Sequence, residues 1–389
     1  MNILVITDRI GGSASGIVFE NILKELCEFN TFDIITYTCS LSKNSKGINS
    51  IRILPSSLNH TRLDFYIKLY NWKFFKTCII DELNKFRIGL KNRKYDLVLG
   101  FCSNGGYLGL IGGIHAKKKL GIKLACYFTD PIPAPKEWYS NQKLRNHVLS
   151  FITKRISDID FLASSNPKML SYQLGFFKDR ERCKSDVLFT PCKLDSLTYI
   201  PKCNDGIIRF VYTGAIYGIR NPGPLLNAFA QLCREYNNVE LLFIGKCSLN
   251  EYLKDFPLEF QTKIKFIAWV KDLSIYYQKA SALIDIDADV ENDVFLSSKI
   301  INYLPINRPI ISITGKDSVS RKIFAGNKTI YQCSHDVTAI FRVLKNIVEQ
   351  QATYDYTERL PLLEQFSSKT IATKLQQNLV KLLNEKYFL

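Results

Sequence analysis

Residues 207–222 read IIRFVYTGAIYGIRNP, a helical pattern follows from about 222 to 236, and the apolar run VELLFI occupies 239–244. A β-rich run, a glycine-containing turn, a helix and a second β-rich run are the parts of a βαβ unit. Further β-rich runs follow at 264–267, 282–286, 309–313 and 329–332. We therefore predict a parallel, doubly wound sheet in this half of the chain.

The first half of the chain has the same organisation. It opens with a strand at 3–7, a glycine-rich turn and a helix at about 17–29. Further strands are predicted at 33–37, 96–101, 123–128, 160–163 and 187–189. The fold class predicted is α/β, with two doubly wound Rossmann-like domains facing a cleft.

The polar stretch 191–206, interrupted by Pro191, Pro201 and Gly206, separates the two series of strands. Prolines and glycines between patterned segments indicate loops and linkers. We predict an N-terminal domain at 1–195, a linker at 196–206, a C-terminal domain at 207–365, and a C-terminal helix at 366–389 that packs back towards the N-terminal domain.

Composition narrows the class of protein. The chain has 389 residues and 11 cysteines, with a formal net charge of +16. Its length favours two domains, and its charge favours phosphate-bearing or anionic partners. Its first residues form too short an apolar run for a signal peptide, and no segment reaches the ~18 apolar residues of a transmembrane helix. We expect a cytoplasmic protein with reduced cysteines that contacts the inner face of the membrane.

Basic and aromatic residues alternate in the segment 64–94. Such a segment can lie on an anionic membrane, and it can equally be a helix with its aromatic side chains in the core and its lysines in water. The chain has no recognised nucleic-acid-binding motif, so we do not expect a nucleic acid as partner.

Glycine-containing turns follow the first strand of each series. Gly11 and Gly12 precede a helix, where backbone N–H groups can approach an anion, but a plain tight turn explains them as well. After the strand at 207–212, Gly214 permits close backbone approach, Arg220 can bind a diphosphate through two N–H groups, and Pro222 suits the first position of a helix. A solvated loop arginine is the alternative.

A further candidate lies at 292–303. Ser297 or Ser298 can cap a helix whose first turn offers N–H groups to a phosphate, and Lys299 adds positive charge. An ordinary capped helix is the commoner explanation. In the first half, Asp130 follows a buried strand, where it can accept a hydroxyl proton, bind a sugar or cap a turn. The four histidines include no evident base.

Together these fragments resemble the retaining GT-B glycosyltransferases often grouped as family 4, over most of the chain. The most specific matches are Tyr212-Thr213-Gly214 with Arg220, followed by the helix residues LLNAF at 225–229. The runs 239–245, 264–270 and 299–310 follow in the family's order, and 191–195 stands where the family has P-N-G-v-D.

Some positions depart from the family's pattern. Ala215 stands where the family has an arginine, and Val294 and Asn302 stand where it has two glutamates, the second of which holds the donor ribose. Lys193 replaces a glycine. These changes leave the donor open and raise the alternative of a non-catalytic, nucleotide-binding partner of another transferase. An epimerase or phosphorylase with the same fold is another alternative.

The resemblance implies a metal-independent, retaining transfer of sugar from a UDP- or GDP-sugar to a saccharide or lipid-linked saccharide, in cell-surface polysaccharide or lipopolysaccharide synthesis. No cofactor is expected. The implied catalytic residues are Asp130, Arg220 and Lys299. Donor binding is implied for Gly214, Tyr217, Arg220, Ser297, Ser298, Lys299 and Asn302. Acceptor binding is implied for Gly11, Gly12 and Asp130.

Overall fold

The computed structural model describes residues 1–54, 94–103, 107–193, 196–247, 249–254, 256–350 and 354–384. The basic, aromatic segment predicted at 64–94 lies outside these ranges except for Lys94. The chain divides into a first unit, Met1–Pro191 with Ser368–Leu389, and a second unit, Cys192–Ser367. Within the described ranges, none of the helices has the length and apolar character needed to cross a bilayer.

The first unit is built on a parallel sheet of seven strands. The strands in this unit are β1 (Asn2–Thr7), β2 (Arg9–Ile10), β3 (Thr31–Thr36), β4 (Thr38–Cys39), β5 (Ile48–Ile53), β6 (Leu97–Cys102), β7 (Lys123–Phe128), β8 (Phe161–Ser164) and β9 (Lys184–Val187). The large sheet has the order β5-β3-β1-β6-β7-β8-β9, and β2 pairs with β4 beside it. The direction in which successive strands are added to the sheet therefore reverses between β1 and β6.

The second unit repeats this plan with six parallel strands. They are β10 (Ile208–Thr213), β11 (Val239–Ile244), β12 (Ile264–Ile267), β13 (Ala282–Ile286), β14 (Ile310–Ile313) and β15 (Ile330–Cys333). Their order is β12-β11-β10-β13-β14-β15. This is the doubly wound order 3-2-1-4-5-6, whose reversal between β10 and β13 is the usual ligand position in such sheets.

Helices cover the sheets. They are α1 (Ala14–Leu26), α2 (Leu108–Leu120), α3 (Gln142–Thr153), α4 (Pro167–Leu174), α5 (Gly223–Glu235), α6 (Asn250–Leu253), α7 (Leu258–Gln261), α8 (Ser274–Lys279), α9 (Ser298–Tyr303), α10 (Val319–Ile323), α11 (Val337–Glu349), α12 (Leu360–Gln365) and α13 (Ser368–Asn384). The buried face of α13, with Ile371, Leu375 and Leu379, joins the core of the first unit beside Phe19 and Phe101. The last helix thus belongs to the unit that begins the chain.

The predicted doubly wound α/β architecture is confirmed, with local differences. The strand β5 was not predicted, because half of its residues are exposed and its apolar pattern is weak. The loop after β1 contains the short strand β2. Pro222 precedes α5 as its N-cap and is not the first helical residue.

The segment 196–206, predicted as a linker, lies within the second unit. Several hydrogen bonds fasten it there, including two at Ile200. The Ile200 N–H donates to Asn307 Oδ1 at 2.8 Å, and Arg308 Nη1 donates to the Ile200 carbonyl at 3.0 Å. These buried side chains satisfy part of the segment's backbone, which a polar sequence interrupted by Pro201 and Gly206 does not reveal.

Candidate functional site

The carboxyl ends of β10 and β13 meet at the winding reversal of the second sheet. The two strands are parallel neighbours, with Tyr212 level with Ile284. Gly214 directly follows β10, and Asp287 directly follows β13. Residues that follow these two strands are therefore brought to one edge of the sheet, where doubly wound folds bind ligands.

The short helix α9 is anchored to both strands, and this places Lys299. Its capping residue Ser297 accepts a hydrogen bond from the Lys299 N–H at 3.3 Å and donates to Asp285 Oδ1 at 2.8 Å. At its other end, the buried Tyr303 hydroxyl accepts from the Thr213 N–H at 2.9 Å. Lys299 is one turn before Tyr303, so it lies on the face of α9 that meets the end of β10.

Lys299 crosses directly over Gly214. Gly214 has φ +107°, and a Cβ at this position would come within 2.9 Å of Lys299 Cε, so only glycine fits here without displacement. The ammonium is 5.3 Å from the centre of the Tyr212 ring. Within the described residues it makes no hydrogen bond or ion pair. Burial, and then the charge of Arg220, lower the pKa of Lys299.

Arg220 is the second cation at this edge. Its buried guanidinium has Nε and Nη2 each 3.4 Å from Asp287 Oδ1. It also lies 4.7 Å from the ring centre of Tyr217, which is 57% exposed. Burial disfavours the charged form, but Asp287, Tyr217 and Asp285 together outweigh it and raise the pKa of Arg220. Arg220 is thus a permanently charged, prepositioned group.

Sequence reasoning missed two carboxylates, Asp285 and Asp287. They stand two residues apart at the end of β13, so both point to the same face of the sheet, and both are fully buried. Burial raises the pKa of Asp285 to about 6, with Lys299 opposing the shift and Asp287 adding to it. The pattern IDID in a buried strand was the available signal, because charged residues are almost never fully buried unless paired.

Two further residues, Ser298 and Asn302, were predicted to bind the donor. Ser298 is exposed at the start of α9. Asn302 Oδ1 accepts a hydrogen bond from the Lys193 N–H at 3.2 Å, so the amide already serves the backbone of the second unit. The described contacts connect Gly214, Ser297 and Lys299 with one another and Arg220 with Tyr217, while the donor-binding roles of Ser298 and Asn302 stay predictions.

An acidic cavity of about 510 Å³ begins two residues after Asp287. Its lining comes from the carboxyl ends of β13, β14 and β15 and includes Asp289, Glu291, Asp317, His335 and Asp336. Burial lowers the pKa of His335, whose side chain hydrogen-bonds the Asp287 backbone. Carboxylates of this kind accept hydrogen bonds from hydroxyl groups. Across the described ranges, no group of three or more His, Cys, Asp and Glu side chains is arranged to hold a metal ion.

In the first unit, the predicted acceptor residues lie along the matching edge of the sheet. Gly11 (φ +72°) and Gly12 (φ +68°) form the turn before α1, and the Gly11 N–H donates to the Gly16 carbonyl at 2.7 Å. Asp130 follows β7 and accepts from Thr129 Oγ1 at 3.3 Å. Because β6 lies between β1 and β7, these two strands are separated by two strand spacings, about 10 Å.

Comparison with known proteins establishes the fold. No family model and no curated protein sequence matches this chain. Solved structures do match over nearly the full length. The lipopolysaccharide outer core galactosyltransferase WaaB, in its apo form, aligns with a TM-score of 0.64 at 14% identity, covering 98% of this chain and 99% of WaaB.

Two further structures are similar. Anabaena Alr3699/HepE, solved with UDP and glucose, has a TM-score of 0.67 at 10% identity and covers 98% of this chain and 100% of its own. Sucrose-phosphate synthase from Thermosynechococcus elongatus has a TM-score of 0.65 at 13% identity and covers 98% of each chain. The chain therefore has the GT-B fold, as the sequence predicted.

Proposed function

We propose that this protein is a glycosyltransferase that binds a UDP- or GDP-sugar at the winding reversal of its second sheet and transfers the sugar to a saccharide or lipid-linked saccharide. The observation that carries the proposal is the arrangement of Lys299, Arg220 and Gly214. Two cations flank an exposed glycine backbone at the position where doubly wound sheets bind nucleotides. The structural neighbours include transferases and a UDP complex, which supports a nucleotide-sugar donor.

Charge stabilisation is the main contribution expected from these residues. As the bond between the sugar and the diphosphate breaks, negative charge accumulates on the leaving phosphate oxygens. In the proposed complex, Lys299 and Arg220 lie beside the diphosphate and need no reorganisation to neutralise this charge. We assign the sugar to the acidic cavity after Asp287, where carboxylates would accept hydrogen bonds from its hydroxyl groups. Because two side chains supply the positive charge, the proposed transfer uses no metal, and the resemblance favours retention of anomeric configuration.

The acceptor and the cellular context also belong to the proposal. Asp130, with Gly11 and Gly12, would hold the acceptor, and Asp130 would accept its hydroxyl proton. A net charge of +16 supports a protein that meets an anionic inner membrane surface, where lipid-linked saccharides of polysaccharide or lipopolysaccharide synthesis are found.

A non-catalytic, nucleotide-binding partner of another transferase is the second candidate. Three observations favour it: Ala215 adds no charge, Asn302 is bonded to Lys193, and two carboxylates offset the cations. Such a protein would bind the nucleotide without turning it over.

Turnover of the donor distinguishes these candidates. The pure protein would be incubated with UDP-glucose, UDP-galactose or GDP-mannose, with and without saccharide and lipid-linked acceptors, and the released nucleoside diphosphate measured by chromatography. We expect release from one donor, stimulated by an acceptor and strongly reduced in Lys299→Gln, while Lys279→Gln, an exposed lysine on α8, retains it. Binding without release would support the partner, and conversion of one nucleotide sugar into another would indicate an epimerase.

A further inference from the structure

Each cation of the site is matched to a buried carboxylate. Asp287 Oδ1 lies 3.4 Å from Arg220. Ser297, which caps α9, donates its hydroxyl to Asp285 and accepts from the backbone N–H of Lys299, and the Asp285 charge acts on the Lys299 ammonium without a direct hydrogen bond. The second carboxylate oxygen, Oδ2, of Asp285 and of Asp287 has no hydrogen-bond partner in the described chain. The cluster thus contains two cations, two carboxylates and two uncommitted buried oxygens.

The neighbouring strand β14 and the residue after it add buried hydroxyl groups that also have no hydrogen-bond partner among the described residues. Ser312 on β14 is level with Asp285, and its hydroxyl is fully buried without a partner among the described residues. Thr314, two residues further on, is also fully buried, and its hydroxyl has no described partner. Buried polar atoms are nearly always paired, so unpaired ones next to a site indicate water or a change of protonation.

A bound diphosphate changes the charge balance of this cluster. With both carboxylates ionised, the two acids cancel the charge of Lys299 and Arg220, and a sugar diphosphate then adds two negative charges in a low-dielectric setting. Like charges at close range favour protonation of one of them. Asp287 faces Arg220 directly, whereas Asp285 shares its oxygen with a neutral hydroxyl, so Asp285 is the carboxylate that can give up its charge.

We propose that Asp285 and Asp287 are positioning residues that hold Lys299 and Arg220, and that Asp285 takes up one proton from solvent when the sugar diphosphate binds. The proton forms an O–H bond at Asp285 Oδ2 and no bond is broken in the ligand. The proposal rests on the proposed donor site and names a property of that site, the linkage of donor binding to protons.

The groups that face Asp285 support this assignment. From β10 comes Tyr212, whose pKa is raised by burial so that it stays neutral; from α9 come Ser297 and Lys299, with Tyr303 behind them. Asp287 and Arg220 lie towards the loops, and Ser312 faces Asp285 from β14. Burial raises the pKa of Asp285 to about 6, from which a nearby anion can shift it through neutral pH.

The sign of the effect follows from the raised pKa. A bound diphosphate raises the pKa of Asp285 further, so the complex holds more protons than the free protein at pH values above about 6. Donor affinity is then highest below about pH 6 and falls as the pH rises, by at most about tenfold per pH unit.

Calorimetry in two buffers measures the linkage directly. UDP-glucose and GDP-mannose are the probes, because their phosphates, unlike the terminal phosphate of UDP, do not titrate near neutrality. Titrations in HEPES and Tris at the same pH give the number of protons taken up from the difference in apparent enthalpy. The wild type is expected to take up close to one proton per bound donor at pH 7.

The variant Asp285→Asn keeps the acceptor oxygen for Ser297 and removes the titration. We expect it to bind donor without proton uptake and with an affinity that does not fall between pH 6 and pH 8, so that at pH 8 it binds severalfold more tightly than the wild type. Asp287→Asn should weaken binding at every pH and retain the uptake. If Asp285 had only a structural role, the Asp285→Asn substitution would weaken binding equally at every pH.

The outcomes separate this inference from the proposed function. Donor binding by the wild type without proton uptake, or uptake that persists in Asp285→Asn, overturns the inference and leaves the donor site intact. The wild-type buffer series alone is decisive if the variant does not fold. Failure to bind any nucleotide sugar overturns both.

Discussion

The two units have the same strand order but different chemistry at their winding reversals. In the second unit, Lys299 lies over Gly214, and Arg220 is near enough for its charge to lower the pKa of Lys299. In the first unit, the turn at Gly11 and Gly12 closes on itself through the bond to Gly16, and the nearest charged groups include Glu20, which is bonded to Lys24 and Ser40. The scaffold fixes where a ligand binds, and the residues after the strands determine which kind.

This difference predicts that anion binding is confined to the second unit. The first reversal offers carboxylates and a turn in which the Gly11 N–H already donates to the Gly16 carbonyl, which suits neutral hydroxyl-bearing ligands. The second offers cations in a partly buried setting. Three pairs of substitutions test the contrast, the first through stability and the other two through nucleotide binding, from the largest expected effect to the smallest.

The largest effect is expected from Arg220→Ala. It leaves Asp287 buried and unpaired, which costs about 3–5 kcal/mol of the free energy of unfolding. Arg9→Ala, an exposed arginine at the first reversal, should change it by less than ~0.5 kcal/mol. Chemical denaturation followed by circular dichroism measures both.

The double variant Arg220→Met/Asp287→Leu separates stability from binding. Replacing both charges by apolar groups should restore most of the lost stability, but no nucleotide binding. Equal stability of Arg220→Ala and the wild type would show that the pair with Asp287 is not a buried charge pair.

An intermediate effect is expected from Gly214→Ala. A Cβ at Gly214 would meet Lys299 Cε at 2.9 Å, so the cation must move, whereas a Cβ at Gly12 would meet nothing within 4 Å. Both variants strain a positive φ, at about 1–2 kcal/mol each. Only Gly214→Ala should lower nucleotide affinity, by about tenfold, or ~1.4 kcal/mol. Equal affinities for the two variants would contradict the role of Lys299 at this glycine.

The smallest effect on donor binding is expected from Asp130→Asn. The change is isosteric and lies in the first unit, so nucleotide affinity should equal that of the wild type. If Asp130 accepts the acceptor's proton, acceptor-dependent transfer should fall by about 10²–10⁴-fold. Ser13→Ala, at the cap of α1, is a control that leaves the carboxylate unchanged. Loss of nucleotide binding in Asp130→Asn would contradict the assignment of nucleotide binding to the second unit alone.

The sheets could be predicted because buried parallel strands are short apolar runs between turns. The strands at 239–244, 264–267 and 282–286 fall where the sequence placed them. The half-exposed β5 lacks that signal. The residues 196–206 have the composition of a linker but are fastened by Asn307 and Arg308, which lie about 100 residues away in the sequence.

The candidate site was predictable only in part. Glycine after a strand and a lysine after a capping serine are local patterns, and they led to Gly214 and Lys299. The pairing of Arg220 with Asp287 spans 67 residues and depends on the order of the strands. Asp285 and Asp287 therefore read as strand residues. The ribose role of Asn302 stays a prediction, and the hydrogen bond that its oxygen accepts from the Lys193 N–H could not be read from the sequence.

Calorimetric titration with UDP and GDP is the most direct test of the anion site, using the wild type, Lys299→Gln and the matched surface variant Lys279→Gln in one buffer. The Lys299 ammonium makes no ion pair or hydrogen bond in the described residues, so its replacement breaks no direct polar contact. We predict micromolar binding of one nucleotide, unchanged in Lys279→Gln and weakened by about tenfold, or ~1.4 kcal/mol, in Lys299→Gln. Binding that is equal in all three proteins, or absent from the wild type, would contradict a donor site at the reversal of the second sheet.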